Sequence, residues 1–472
     1  MVNLLMKQST AALQGESGQQ IRLSWWNRLA YGCGDTACNI VCGMINALLT
    51  LFYTDYAGIP IATVGIVMLV SRVFDGTSDV IMGVIVNKTK SRWGKARPWL
   101  LWMAVPYVIC AVAMFTVPQT SESLQFWYIF VTYNLCTTVC YTAINVPYGT
   151  LSTMMTRSSH ERDLLSVVRM AMAPVGRLIA VTLTMPVVKL FGDTQMAWVK
   201  AMAMWCVIAL VMLLICFANC KERVQIEAVK NQQKVGVKKN LKALLGNKYF
   251  WATLVLWTIT CVHQTLVGTV TPYYCKYIFG NDSWMYSALY FGESVTLIVG
   301  AMVCPMLLRR FGKRDISLVG CVVAVVAQAA FFLNPYSYSW MLGTTIIRAL
   351  GQAPITAIVF GMMGDVIEYG QWRSHIRQES LVFGGGSLGF KIGVGLTSAC
   401  ISKLLEVSGY ISSSTGGAVQ PDSAKAMIMD IYQYGTLAIW VIAAIVLVLY
   451  KLDKIYPAIM KELAEREARG EM

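Results

Sequence analysis

Charged side chains are scarce in this sequence: they make up 14% of its 472 residues, whereas 56% of the residues are hydrophobic. A soluble protein carries about 25% charged residues, so too few polar side chains are present here to cover a water-soluble globule. The apolar residues also lie in blocks of roughly 20, the length that a helix needs to cross a bilayer. The sequence therefore predicts an integral membrane protein.

Histidine is rarer still, and cysteine lacks the spacing of a binding site. The three histidines, His160, His263 and His375, are scattered and form neither a ligand cluster nor a nucleophile–base set. Most of the 14 cysteines stand singly inside apolar blocks, and no CxxC pair occurs. We interpret them as small packing residues rather than disulfides or metal ligands. The sequence predicts neither an enzyme nor a bound cofactor.

The positive charge is concentrated in short loops. A net charge of +14 on a soluble protein would indicate nucleic-acid binding, but here Lys and Arg cluster in every second loop, above all in 87–98 and 219–248. The first loop, 54–60, has no cation. This alternation follows the positive-inside rule. It predicts a multi-pass protein of the bacterial inner membrane with both termini in the cytoplasm, and it argues against nucleic acid as a partner.

Twelve apolar spans are long enough to cross a membrane as helices. They are predicted at 27–53, 61–86, 99–117, 124–152, 165–188, 197–218, 249–278, 284–308, 316–334, 338–364, 381–405 and 427–450. The predicted organisation is a cytoplasmic segment 1–24, a six-helix bundle 25–218, a basic cytoplasmic linker 219–248, a second bundle 249–453 and a cytoplasmic tail 454–472. A basic turn with a central glycine recurs at the same place in each half, at 87–95 and 309–314. Two six-helix halves of this kind are the plan of the major facilitator superfamily, an all-α membrane fold.

Ionisable residues inside the spans are the first functional candidates, because each costs about 2.5–3.5 kcal/mol at mid-membrane. Asp75 and Asp79 stand out, since their i, i+4 spacing puts two carboxylates on one helix face. A shared Na⁺ or a proton would relieve their repulsion, so we predict a coupling site. The alternative is a structural ion pair, for instance between Asp75 and Arg72, although one arginine would leave the second acid unpaired.

Two further stretches carry polar groups into the membrane. Lys391 follows a run of three glycines deep in span eleven, where it needs a carboxylate or a polar substrate unless it reaches an interface. In span four, Thr142 and Asn145 lie three residues apart on one face, just before Pro147. They are candidates to complete a cation shell or to bind hydroxyl groups, and ordinary polar contacts between helices are the alternative.

Six motifs stand out along the chain: Tyr-Gly-Cys-Gly-Asp at 31–35, Phe-Tyr-Thr-Asp at 52–55, Arg-Val-Phe-Asp-Gly-Thr-Ser-Asp at 72–79, Ser-Arg-Trp-Gly-Lys-Ala-Arg-Pro at 91–98, Asn-Val-Pro-Tyr-Gly at 145–149 and Asp-Val-Ile-Glu-Tyr-Gly at 365–370. Together they closely resemble the glycoside–pentoside–hexuronide:cation symporters over roughly residues 24–455. The run at 91–95, together with the paired acids upstream, is highly specific.

The resemblance implies roles for particular residues. Asp75 and Asp79 match the acids that coordinate the coupling cation, Na⁺, Li⁺ or H⁺, and would be metal ligands if that cation is Na⁺. Thr142 matches a threonine of the same site. Lys391 matches a lysine that couples the cation and sugar sites, and Arg169 matches an arginine that helps to hold sugar.

The same resemblance places a charged pair in the cytoplasmic gate region, at Asp365 and Arg377.

The chain departs from the melibiose-transporting members of the family at the sugar site. Asn39 and Asn145 stand where those members have sugar-binding aspartates, and Gly149 stands where they have a tryptophan. Asp35, one turn before Asn39, resembles the acid of other family branches and is a candidate for a sugar-binding or gating role. The predicted substrate-binding residues are Asp35, Asn39, Tyr141, Asn145, Gly149, Arg169 and Lys391.

The loss of two sugar-site acids leaves Arg169 and Lys391 behind. We therefore hypothesise that an acidic sugar, such as a glucuronide, a hexuronate or a sulfonated sugar, is accepted more readily than by the melibiose-transporting members. The expected protein is a functional monomer that contacts membrane lipid and symports a small sugar or glycoside with a cation. The alternatives are a major facilitator transporter of a non-sugar solute and a transport-inactive sensor of the same fold.

Overall fold

A computed structural model describes residues 23–156, 159–223, 243–280, 284–308, 310–374, 379–413 and 418–469. All the regular structure in these ranges is helical. The helices of the N-terminal half are α1 (Trp25–Asp55), α2 (Ile61–Lys88), α3 (Arg97–Met114), α4, α5 (Ser159–Leu190) and α6 (Gln195–Asn219). Helix α4 runs as three consecutive segments, Glu122–Asn134, Leu135–Tyr141 and Thr142–Met155.

The C-terminal half has the same number of long helices. They are α7 (Lys248–Tyr277), α8 (Trp284–Leu308), α9 (Lys313–Phe331), α10 (Tyr338–Ser374), α11 (Glu379–Val407) and α12, whose segments are Asp422–Asp430, Ile431–Gly435 and Thr436–Leu449. A thirteenth helix, α13 (Leu452–Ala468), follows them.

Twelve helices in the described part of the chain are long and apolar enough to cross a membrane, so the predicted all-α fold with twelve spans is confirmed. The lengths differ from the prediction in places: α10 continues ten residues past the predicted end at 364. The predicted cytoplasmic tail also contains α13, whose Ile459 and Leu463 are buried. It packs against the end of α10, where Trp372 donates a hydrogen bond of 2.7 Å to Glu462.

Contacts between helices sort the bundle into two halves. In the N-terminal half α1 packs on α5 and α6; in the C-terminal half α7 packs on α11 and α12, and α10 packs on α8 and α9. The halves meet where α2 contacts α11, α5 contacts α8 and α1 contacts α7. The predicted bounds of the linker stay a prediction, because residues 224–242 lie outside the described part.

The predicted repeat of the basic turn has a structural counterpart. The Glu222 carboxylate accepts backbone hydrogen bonds of 2.7–2.9 Å from residues 95–97 at the start of α3, and the Asp453 carboxylate accepts one of 2.7 Å from Arg314 at the start of α9. Each acid therefore lies where a helix N-terminus stabilises negative charge. The central glycines differ, since Gly94 has a φ of +111° whereas Gly312 has an ordinary φ of −69°.

The two ends of the bundle are named here by their loops. The odd-loop end carries the α1–α2 connection and is predicted to be periplasmic, and the even-loop end carries the α2–α3 connection and is predicted to be cytoplasmic. Among contacts between described residues, hydrogen bonds that join the halves lie from the level of Lys391 to the odd-loop end. The halves are thus tied together at the odd-loop end.

Candidate functional site

The paired acids of α2 meet α4 in the N-terminal half. Asp75 is buried, and it accepts a hydrogen bond from the Thr138 hydroxyl. Asp79, one turn further on, is 40% exposed and lies 3.2 Å from the Thr142 hydroxyl. The four side chains place two carboxylates and two hydroxyls together, an all-oxygen donor set of the kind that hard cations prefer.

Thr138 is a residue that the sequence interpretation missed. It lies in the segment Leu135–Tyr141 of α4, whose hydrogen bonding is that of a π-helix. Such wide turns are rare and frequently occur at functional sites. Thr138 precedes Thr142 by four residues, so the two hydroxyls share one face, and this spacing is the signal that would have revealed it.

Both acids have a cationic partner in the structure. The Arg72 guanidinium lies 3.5 Å from the Asp75 carboxylate and 3.4 Å from the Asn46 side chain. The Lys391 ammonium of α11 bonds to the Asp79 carboxylate and lies 3.3 Å from the backbone oxygen of Asp75. Arg72 pairs with Asp75 alone, as the sequence interpretation expected of one arginine, and the second acid finds its partner in Lys391 of the other half. Two cations and two carboxylates balance here.

A second ion pair lies on the same half, at about the depth of Asp79. The Arg169 Nε atom lies 2.9 Å from the Asp35 carboxylate, and the guanidinium stands 5.1 Å from the ring centre of Tyr148. Tyr148 in turn stacks on Tyr31 at 4.5 Å between ring centres. Asn39 donates a hydrogen bond of 3.0 Å to the backbone oxygen of Asp35. Asp35 therefore neutralises Arg169.

The three candidates of α4 occupy different surroundings. Tyr141 is half-buried and packs on the hydrophobic core. Asn145 is half-buried, and its side chain has no hydrogen bond to any residue that the structure describes. Gly149 is exposed, and a Cβ atom there would meet nothing within 4 Å. The position at which melibiose-transporting relatives have a tryptophan is thus open space.

A cavity of about 230 Å³ lies between the two halves. Helices of both halves line it, and its charged lining residues are Arg72, Arg177 and Glu293. None of the seven predicted substrate-binding residues lines this cavity. On α5 the cavity residue Arg177 lies eight residues closer to the odd-loop end than Arg169, which is about 12 Å along a helix. Arg177 and Glu293 are ionisable residues inside spans, and the sequence interpretation assigned neither of them a role.

Glu293 belongs to a buried polar cluster of the C-terminal half. Arg348 lies 3.7 Å from its carboxylate and is 1% exposed. The same guanidinium donates hydrogen bonds of 2.9 Å to Gln328 and 3.0 Å to the Tyr432 hydroxyl. Arg348 therefore fixes Glu293 on the cavity wall.

The odd-loop end is closed by an acid that sequence reasoning did not place in a site. Asp55 is fully buried, and its carboxylate lies 2.5 Å from both the Lys276 ammonium and the Tyr277 hydroxyl of α7. Tyr410, which follows α11, donates a further hydrogen bond to it. A cationic residue and two tyrosines of one half thus enclose a single carboxylate of the other. Its signal in the sequence was an acid alone in a loop without cations.

The predicted gate pair is described only in part. Asp365 forms an ion pair of 2.6 Å with Lys313 of α9, and Arg377 lies outside the described residues. A pair between Asp365 and Arg377 therefore stays a prediction.

In the described part of the chain, no three His, Cys, Asp or Glu side chains come together as a metal cluster, so the oxygen set around Asp75 and Asp79 is the candidate for a cation.

Comparison with known proteins places these features in a family context. Residues 30–454 match the family model described as MFS/sugar transport protein. An isoprimeverose transporter of Lactiplantibacillus pentosus is 31% identical over 454 residues, covering 94% of this chain and 92% of that protein. An inner membrane symporter of Escherichia coli (strain K12) is 30% identical, with 82% and 84% covered. A glucuronide carrier protein homolog of the same organism is 27% identical, with 83% and 86% covered.

Solved structures agree on the fold. A structure from a study of proton-dependent oligopeptide transporters superimposes with a TM-score of 0.64 at 12% identity, covering 92% of this chain and 99% of that one. A nucleoside transporter superimposes with a TM-score of 0.60 at 14% identity, covering 91% and 99%. At such low identity these matches establish the twelve-helix transporter fold alone.

Proposed function

Because the chain belongs to the MFS/sugar transport protein family, we propose that it carries a sugar or glycoside together with a coupling cation, Na⁺, Li⁺ or H⁺, by alternating access. Its similarity to these relatives, together with its twelve apolar helices in the described part of the chain, indicates a sugar transporter that crosses the inner membrane many times. The coupling cation and the class of sugar are the parts that need experiment.

The contact of Lys391 with the acids of α2 carries this proposal. Its ammonium bonds to Asp79 from the opposite half of the protein, so one carboxylate is shared between the coupling site and the interface that must open and close. A cation that binds at Asp75 and Asp79 competes with this ammonium. Release of Lys391 would then free a donor for sugar hydroxyls, and by linkage sugar would tighten cation binding by the same factor.

The state of the two ends supports alternating access. The Asp55 contacts hold the odd-loop end closed, whereas no hydrogen bond between described residues joins the halves on the even-loop side of Lys391. A sugar site between the halves is reached from one side at a time in transporters of this type. The arrangement corresponds to a carrier that is open towards the predicted cytoplasmic side.

The hypothesis of an acidic sugar requires a cationic side chain other than Arg169 and Lys391 to bind the acidic group. Arg169 is neutralised by Asp35, and Lys391 by Asp79. Neither is free to attract an anion while those pairs persist. An acidic substrate remains part of the proposal only if another cation in the cavity lacks a partner.

Uptake into proteoliposomes tests the coupling site. Labelled glycosides and uronates are supplied at several pH values, with and without Na⁺ or Li⁺ gradients, to wild type and to Asp75→Asn and Asp79→Asn. Each variant is expected to lose accumulation against a gradient while keeping downhill exchange, because the coupling cation has lost a carboxylate. Lys403→Gln on α11 is the control, since its ion pair with Glu406 is exposed. Normal accumulation by both variants would refute the assignment.

A further inference from the structure

We propose that Arg177 binds the negatively charged substituent of the transported sugar, and that the substrate is therefore an acidic sugar. The inference rests on the proposed transport function and names the class of its substrate. It follows from an imbalance of charge in the middle of the bundle.

Deep cations in the described spans are paired with carboxylates, with one exception. The paired cations and their acids are Arg72 with Asp75, Arg169 with Asp35, Lys276 with Asp55, Arg348 with Glu293 and Lys391 with Asp79. Arg177 has neither an ion pair nor a hydrogen bond to any described residue. The centre of the protein therefore carries one positive charge in excess, and an ionisable side chain at that depth marks a substrate or ion pathway by default.

The charge of Arg177 cannot reach water at the membrane surface. It lies thirteen residues from the end of α5 at Leu190, which is about 20 Å at 1.5 Å per residue. An arginine stem cannot reach that far to place its charge in water. Its stem instead packs over Gly43 of α1, where an added Cβ would lie only 2.6 Å from the Arg177 Cγ atom. Gly43 thus makes room for the side chain beside the cavity.

The cavity around Arg177 contains other polar groups that lack partners. Tyr286 and Thr271 line it and are 1% and 5% exposed, and their hydroxyls make no hydrogen bond within the described structure. Buried hydroxyls without partners are uncommon and need an explanation such as a ligand. Both hydroxyls are closed off from the cavity in this state, so a sugar would satisfy them once their side chains turn towards it.

Glu293 defines how such a sugar would lie. Its carboxylate is held by Arg348 on the wall formed by the C-terminal half, so it accepts sugar hydroxyls and repels a second carboxylate. The acidic group of the substrate would therefore face Arg177 on α5, and the ring hydroxyls would face α8. A ligand in this position contacts both halves, as alternating access requires.

The size of the cavity sets a bound on the ligand. Its volume of about 230 Å³ lies below the ~300–1,000 Å³ of sites for drug-sized molecules. A short, hydrophilic solute with one or two rings fits this bound better than a longer oligosaccharide.

The test measures the specificity of transport in proteoliposomes. Matched pairs of labelled methyl uronides and methyl glycosides with gluco, galacto and xylo-related rings are supplied to wild type, Arg177→Gln and Arg177→Lys, together with a sulfonated sugar. Arg177→Gln is expected to lower the ratio of uronide to neutral uptake by about 10- to 100-fold, the scale of a lost hydrogen bond to a charged group. Arg177→Lys keeps the charge but loses the forked geometry, so its ratio should lie between.

The outcomes separate this inference from the proposed function. Lys200→Gln removes a charge from an exposed position of α6 and should leave the ratio unchanged. If Arg177→Gln lowers uptake of acidic and neutral sugars equally, or if wild type prefers neutral glycosides, the inference is overturned while sugar transport stands. If wild type carries no sugar of either kind, the proposed function fails as well. Retained uronide preference in Arg177→Lys excludes a merely structural effect of the glutamine variant.

Discussion

The contacts of Asp55 and those of Asp79 both join the two halves, but they differ in how completely the carboxylate is satisfied. Asp55 is fully buried and receives hydrogen bonds from a lysine and two tyrosines of the other half. Asp79 is 40% exposed and has one cationic partner from the other half. A saturated, water-free pair resists exchange, whereas an exposed acid with spare lone pairs can trade one cation for another. The first arrangement suits a closure and the second a binding site.

The largest effect is expected when the closure is broken. Asp55→Asn leaves the Lys276 ammonium buried without a negative partner, and loss of one member of a buried pair costs about 3–5 kcal/mol. The closed odd-loop end should weaken, and the free energy of unfolding should fall. Hydrogen–deuterium exchange at the end of α7 should rise, and the thermal unfolding temperature should drop.

A neighbouring acid provides the control for this variant. Asp193 accepts a hydrogen bond of 2.8 Å from Tyr56 within the same half, and its φ of 51° is well tolerated by asparagine. Asp193→Asn should leave exchange at α7 unchanged. If Asp55→Asn behaves in the same way as Asp193→Asn, the carboxylate does not hold the halves together.

A smaller effect is expected at the cation site. Thr138→Val removes the hydroxyl that donates to Asp75 but keeps the shape of the side chain. The Thr138 hydroxyl oxygen is one of the four oxygens proposed to hold Na⁺, and a contact with a charged group contributes about 1.5–3 kcal/mol, so the Na⁺ concentration that half-activates uptake should rise by roughly tenfold or more. Thr137→Val is the matched control, because its hydroxyl bonds to the backbone of Tyr133 in its own helix. An unchanged half-activating concentration in Thr138→Val would remove this residue from the site.

The fold and the carboxylates of the cation site could be predicted from the sequence. Hydropathy and loop charge depend on chain-local composition, so the twelve spans could be predicted. The i, i+4 spacing likewise exposes Asp75 and Asp79 without knowledge of their neighbours. Local spacing also offers Arg72 as a partner of Asp75. The pairing of Asp79 with Lys391 could not be found in this way, because Lys391 comes from a helix more than 300 residues away and its direction depends on how the halves meet.

Contacts between distant helices also explain why Arg177 was not predicted to bind substrate. Arg177 and Arg169 look alike in the sequence, since both are arginines inside span five. The difference is that Asp35 on α1 forms an ion pair with Arg169, whereas no carboxylate in the described structure forms one with Arg177. Pairing between helices therefore leaves Arg177 available for the substrate. The family resemblance had instead pointed to Arg169, which is already paired with Asp35.

The smallest effect should come from two glycines that contrast the closed and open ends. At Gly65 of α2 an added Cβ would lie 2.5 Å from the Ser402 Cβ atom of α11, across the interface near the odd-loop end. Gly65→Ala should therefore push the halves apart there, at a cost of about 1–3 kcal/mol for overpacking, and slow transport modestly. Gly83→Ala, at the even-loop end of the same helix, meets nothing within 4 Å and should be neutral or stabilise α2 slightly, since alanine is the better helix former. Equal uptake rates and unfolding temperatures for the two variants would show that the odd-loop end is no tighter than the even-loop end.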